Sequence, residues 1–177
     1  MNWMMVTMLY NRTIYVDTAL KTKEQHDYSV FQCWGADKEG RKYLLDQVRG
    51  KWEAPDLLVQ GRAFWKKHKA ATNKELGYLR SMNVEDKASG TGLIQTLKRE
   101  GIPIRDIQRN IDKITRGLDA APMVETGNVY LPINAEWLSG FIAEASAFPN
   151  GKHDDQLDPM FDAVTDVAAG RSWAGAI

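Results

Sequence analysis

The sequence predicts an α/β domain built as a five-stranded mixed sheet flanked by helices. Three observations carry this. Three strand-like runs come first, between residues 12 and 50, with only short polar stretches separating them. From residue 54 onward, helical and strand-like segments alternate, as they do where crossover helices join strands of one sheet. The chain has 177 residues and 44% hydrophobic composition, enough for one core. A single domain over 1–177 follows, with 1–11 as an N-terminal extension and 170–177 as a loose, glycine-broken tail.

The elements can be justified in turn. "RTIYVDTAL" is rich in strand formers and closes near Asp17. "DYSVFQCWG" and "RKYLLDQVRG" form a hairpin about the turn "ADKEG". "APDLLVQGRAFWKKHKA" places Leu57, Leu58, Gly61, Phe64, Trp65 and His68 at helical spacing after a Pro-Asp start. Phe64 and Trp65 face the core in this reading, leaving Lys66, Lys67 and Lys69 to solvent. "LGYLRSMNVED" is a fourth strand, ending at Glu85 and Asp86. "SGTGLIQTLKREG" is a helix with Ser89 as its cap and Gly101 as its stop. "IPIRDIQ" is a short fifth strand. Helices follow in "NIDKITRGLDAA", "AEWLSGFIAEASAF" and somewhere within 154–169. If Asp158 caps the last helix and Pro159 is its first residue, Asp154 and Asp155 lie on the preceding loop. Leu157, Met160, Phe161, Val164 and Ala168 then make one apolar stripe.

Composition excludes several classes. Lys and Arg number 23, as do Asp and Glu, so net charge argues neither for nor against nucleic acid. One cysteine, Cys33, forbids an intrachain disulfide and a cysteine-rich metal cluster. Its apolar setting predicts a buried, inert thiol. "MNWMMVTMLY" is too short for a membrane span and has no basic leader.

The chemistry lies in the acids. Carboxylates fall at the end of the first strand (Asp17), the end of the fourth (Glu85) and before the last helix (Asp154, Asp155), with Asp158 close behind. Taken singly, each is more often a turn or cap residue. Taken together, they match what hard divalent cations require: carboxylate oxygens converging from separate segments, able to hold two ions about 3.5–4 Å apart for phosphodiester chemistry.

Several motifs carry a resemblance. "VEDKASGTGLIQTLKREGIPI" and "GKHDDQLD" resemble the second and closing acidic motifs of the nuclease domain of bacteriophage terminase large subunits. "YVDTALKTKEQHDYSVFQCWG", with Asp27 opening the second strand, is similar to the first segment of that domain. "DKITR" and "GNVYLP" match the stretch between. The similarity covers roughly residues 12 to 168 in the right order. It implies a ribonuclease-H-like fold and a metal-dependent DNA endonuclease that cuts concatemeric phage DNA during genome packaging. It further implies Mg²⁺ or Mn²⁺ as a pair of ions, double-stranded DNA as substrate, and the cytoplasm of a bacterial host as the setting. The partners it implies are a terminase ATPase domain, the small terminase subunit and the portal; no membrane is involved. Carried over by position, Asp17, Glu85, Asp155 and Asp154 become the catalytic and metal-binding residues, and Asp158 an outer candidate. By their places beside these motifs, Lys87, Lys113, Arg116 and Lys152 are candidate phosphate contacts. His153 sits beside the aspartate pair and is a candidate for proton transfer or for packing.

Two departures stand out. Pro159 occupies a position where similar proteins continue the helix. No G-x-x-x-x-G-K-[ST] loop is present, so the chain is expected to be an excised domain or a shortened prophage gene product without its motor. The competing functions are a Holliday-junction resolvase or transposase-like strand transferase of the same fold, and a non-catalytic DNA-binding or assembly remnant of a prophage gene.

Overall fold

A computed structural model describes residues 8–19 and 28–167. The first strand, β1 (Asn11–Asp17), is buried along its whole length and forms the centre of the sheet. It pairs antiparallel with β2 (Ser29–Ala36), which pairs antiparallel with β3 (Lys42–Gly50). After α1 (Ala54–Ala70), the chain returns as β4 (Tyr78–Glu85) on the other side of β1 and parallel to it. Helix α2 (Ala88–Arg99) crosses to β5 (Ile104–Ile107), parallel to β4. Then come α3 (Lys113–Glu125), β6 (Val129–Tyr130), α4 (Leu138–Ala147) and α5 (Leu157–Thr165).

The strand order is β5-β4-β1-β2-β3-β6, so the sheet has six strands and not five. The added strand is two residues of "GNVYLP" that pair with Lys42 and Tyr43 at the far edge. A pairing that short has no periodicity of its own, so only the tertiary neighbour defines it. The expected meander of the first three strands and the adjacency of the first and fourth are both present.

Strand alternation splits the core in two. Ile14, Val16, Phe31, Cys33, Met82 and Val84 face α1 and α2, while Tyr15, Trp34 and Leu44 face α3, α4 and α5. Cys33 is fully buried, and burial pushes its thiol up to about 12. Phe64 is buried, Trp65 packs against the same cluster, and Lys66, Lys67 and Lys69 are exposed. The same period of two decides where the acids point. Asp17 follows Tyr15 by two residues, and Glu85 follows Asn83 by two. Tyr15 and Asn83 are register partners, and Val16 and Val84 are the next pair. One step further, Asp17 and Glu85 leave adjacent parallel strands side by side, both on the α3–α5 face.

Two helix starts differ from expectation. The N-cap of α5 is Gln156, which puts Asp158 and Pro159 both inside the first turn. Proline is tolerated there because the first-turn N–H groups have no intrahelical partner. Asp154 and Asp155 do lie on the preceding loop. The N-cap of α2 is Lys87 and not Ser89, whose side chain lies outside the described residues. Asp27, His26, Ala168 and the 170–177 tail also lie outside them.

Candidate active site

The carboxyl-terminal ends of β1, β4 and β5 form one edge of the sheet, and the acids gather there. Arg109, two residues beyond β5, is the hub. Its Nη1 donates to Asp17 Oδ1 and to Glu85 Oε2, each at 2.7 Å. The two carboxylates therefore share a single nitrogen. On its other side, Nε and Nη2 of Arg109 donate to Asp162 Oδ2 at 3.2 and 2.6 Å. Lys87 closes the pair from the mouth, its Nζ 3.0 Å from Asp17 Oδ1 and 2.6 Å from Glu85 Oε2.

A second layer lies along α3 and α5. Asp158 receives both Lys113 and Arg116, and Lys113 also donates to Asp154 Oδ1 at 2.7 Å. Arg116 reaches Asp162 at 3.5 Å. The acids crowded before and into α5 are thus neutralised by cations of α3 and by Arg109. Asp155 turns elsewhere: its Oδ2 accepts from Arg49 Nη2 at 3.1 Å. Glu144 holds the other side of Arg49 at 3.2 Å, and its two oxygens accept from the backbone N–H and side-chain amide of Gln156. Gln32, Gln47 and Trp34 extend this buried chain of hydrogen bonds under the loop.

The protonation equilibria follow from these contacts. Burial would raise the Glu85 carboxyl, but the hydrogen bond from Lys87 and the charge of Arg109 outweigh it, and its pKa lies below the ordinary value. Asp155 is raised by burial, which Arg49 only partly offsets; the charges of Glu144 and Asp17 add to the rise. Asp162 is raised by burial too, against the pull of Arg109 and Arg116. Burial works against the Lys87 and Lys113 ammonium groups, yet their carboxylate partners hold both above the ordinary lysine value.

The expected residues thus divide. Asp17 and Glu85 are brought together. Lys87, Lys113 and Arg116 are drawn into the acidic cluster. Asp154 is at its margin, Lys152 is exposed on the loop, and His153 packs edge-on against Tyr28 at 5.9 Å between centroids. Sequence reasoning missed Arg109 and Asp162. Both had a signal: Arg109 follows a strand that ends at the same edge, and Asp162 lies one helical turn after Asp158.

The donor chemistry of the Asp17–Glu85 pair suits a hard divalent cation, since it offers carboxylate oxygens alone. The pair already brackets positive charge, an ammonium and a guanidinium nitrogen. Among the described residues, no three or more His, Cys, Asp or Glu side chains form a ready ligand set. Asp155, the third carboxylate of the expected ligand set, is the one engaged by Arg49. No helix among the described residues is long and apolar enough to cross a membrane.

Comparisons with known proteins agree with this architecture. Residues 14–166 match the model of the Terminase RNaseH-like domain. The fold is similar to the human cytomegalovirus terminase nuclease domain, with a TM-score of 0.66 at 11% identity over 88% of this chain and 82% of that one. It is similar to the large terminase nuclease of thermophilic phage G20c solved with bound magnesium, with a TM-score of 0.61 at 18% identity over 91% and 86%. A large terminase of another thermophilic bacteriophage aligns with a TM-score of 0.61 at 14% identity, and this chain spans 41% of its length. The sequence has no match among curated proteins. With its family model spanning most of the chain and its acids at the same edge of a six-stranded sheet, this chain belongs to the Terminase RNaseH-like domain family.

Proposed function

We propose that this chain is a DNA nuclease that hydrolyses phosphodiester bonds at the Asp17–Glu85 edge of the sheet. The observation that carries the reading is the convergence of those two carboxylates from adjacent parallel strands onto one nitrogen of Arg109. Divalent ions, Mg²⁺ or Mn²⁺, would be held by Asp17 and Glu85, with Asp155 as third ligand and Asp154 beside it. Support comes from the solved relatives: the phage G20c nuclease was crystallised with magnesium and with zinc, and the cytomegalovirus domain was soaked with manganese. Bound ions supply Lewis acidity toward water and toward the phosphodiester oxygens. The chain's own residues do the rest. Lys87, Lys113 and Arg116 bring positive charge to where a phosphate backbone would lie, with Lys152 on the exposed loop. Arg109 holds the Asp17 and Glu85 carboxylates side by side, and its charge favours the ionised form of Glu85. The biological step would be the cutting of concatemeric phage DNA during packaging, together with an ATPase domain, a small terminase subunit and a portal.

The test is plasmid nicking with Mn²⁺ or Mg²⁺, with EDTA as control. Asp17→Asn and Glu85→Gln keep shape and remove charge, so nicking is expected to fall by about 10²-fold or more while DNA affinity is retained or rises. Undiminished nicking by Asp17→Asn would sink the reading. A second reading, a DNA-binding or assembly domain that does not cut, is favoured by one observation: Asp155 is bound to Arg49 and not gathered with Asp17 and Glu85. Duplex binding without any metal-dependent nicking would select it.

A further inference from the structure

The position of Lys87 suggests a role beyond phosphate contact. Its ammonium bridges the two carboxylates, 3.0 Å from Asp17 Oδ1 and 2.6 Å from Glu85 Oε2. A Mg²⁺ ion held by this pair would take carboxylate oxygens at about 2.0–2.1 Å, so an ammonium that bridges both carboxylates competes with it by charge and by approach. Arg109 bonds to the same pair but is anchored by Asp162, and its side chain is 5% exposed. Lys87 is 27% exposed and stands at the mouth, on the extended residue that precedes α2. Its four-carbon stem and three rotatable donors let it exchange partners where the planar, doubly anchored guanidinium cannot. The anion that would accept it is the one the proposed reaction brings, a phosphate of duplex DNA.

We propose that Lys87 is an internal competitor for the cation site: it closes the Asp17–Glu85 pair in the DNA-free protein and moves to a DNA phosphate when duplex binds. Divalent-ion binding and DNA binding are then positively coupled, each strengthening the other by the same factor. The device keeps the acids neutralised, and the site unarmed, until substrate arrives. It rests on the reading of Asp17 and Glu85 as the cation-binding pair.

The experiment measures Mn²⁺ affinity of the full chain by electron paramagnetic resonance, without DNA and with a phosphorothioate-protected duplex. Wild type is expected to bind Mn²⁺ more tightly with duplex. Lys87→Met is expected to bind Mn²⁺ about tenfold more tightly than wild type without DNA, a typical coupling, and to gain little more from duplex. Lys87→Arg keeps a cation in place and should stay near wild type. Thermal unfolding of both variants checks that they are folded. Affinity of Lys87→Met at or below wild type, or an undiminished gain from duplex in that variant, overturns the proposal. Asp17→Asn separates the two levels. If it abolishes Mn²⁺ binding, the site reading stands whatever Lys87 does. If it leaves Mn²⁺ binding intact, the site reading and the Lys87 proposal fall together.

Discussion

Asp158 shows how a residue's role depends on what faces it. Its carboxylate lies in the first turn of α5, where the helix dipole favours negative charge. It is also the shared acceptor of Lys113 and Arg116. The crowding of Asp154, Asp155 and Asp158 is thus balanced from another helix and from β3, and not chiefly by solvent. Lys42 makes the complementary case of a cation with little to offset burial. It is 4% exposed and donates to the Asp166 backbone oxygen at 2.7 Å, and burial lowers its pKa from 10.5 to about 8. Between those values the unfolded chain binds more protons than the folded one, so this group makes stability rise with pH from about 8 to 10.5. Cys33 titrates in the opposite sense above pH 9, so the comparison must isolate Lys42. Urea unfolding of wild type and Lys42→Met is expected to show wild type gaining on the variant across that window, by up to about 3 kcal/mol. A pH-independent difference would refute this account.

At the scale of elements, the register of β1 against β4 is what builds the site, and α2 is pressed against its end. A Cβ on Gly90 would lie 2.3 Å from the Glu85 carbonyl oxygen. The helix can start so close to the strand only because that position has no side chain. Gly90→Ala is expected to cost about 1–3 kcal/mol through displaced backbone and to move Glu85 away from Asp17. Thermal unfolding would register the first effect, and weaker Mn²⁺ binding the second. An unchanged melting temperature would mean that the contact relaxes freely. The segment types were legible because apolar spacing and turn residues mark them locally. β6 was not legible, since two residues carry no period. Asp-Pro is a plausible start for α5, but the loop held by Glu144 through Gln156 sets the cap at Gln156, two residues before Asp158.

Across the whole molecule, β1 and β2 contribute to both cores, alternate side chains facing α1–α2 and α3–α5. Neither layer can unfold without exposing these strands. Phe141, 1% exposed on α4, sits in the second core. Phe141→Ala is expected to cost about 3–5 kcal/mol while unfolding remains one transition, with circular dichroism and tryptophan fluorescence coincident. Two separated transitions would show that the layers are independent. The sequence by itself determined the order and type of the main elements, the buried thiol, and the two strand-end acids, because each is written in local periodicity and turn chemistry. Only the tertiary structure decided which cations meet which acids. Arg109 on Asp17, Glu85 and Asp162, Lys87 on Asp17, and Arg49 on Asp155 join residues 24 to 106 positions apart. Such pairings are fixed by parallel register and helix packing, which no local pattern encodes.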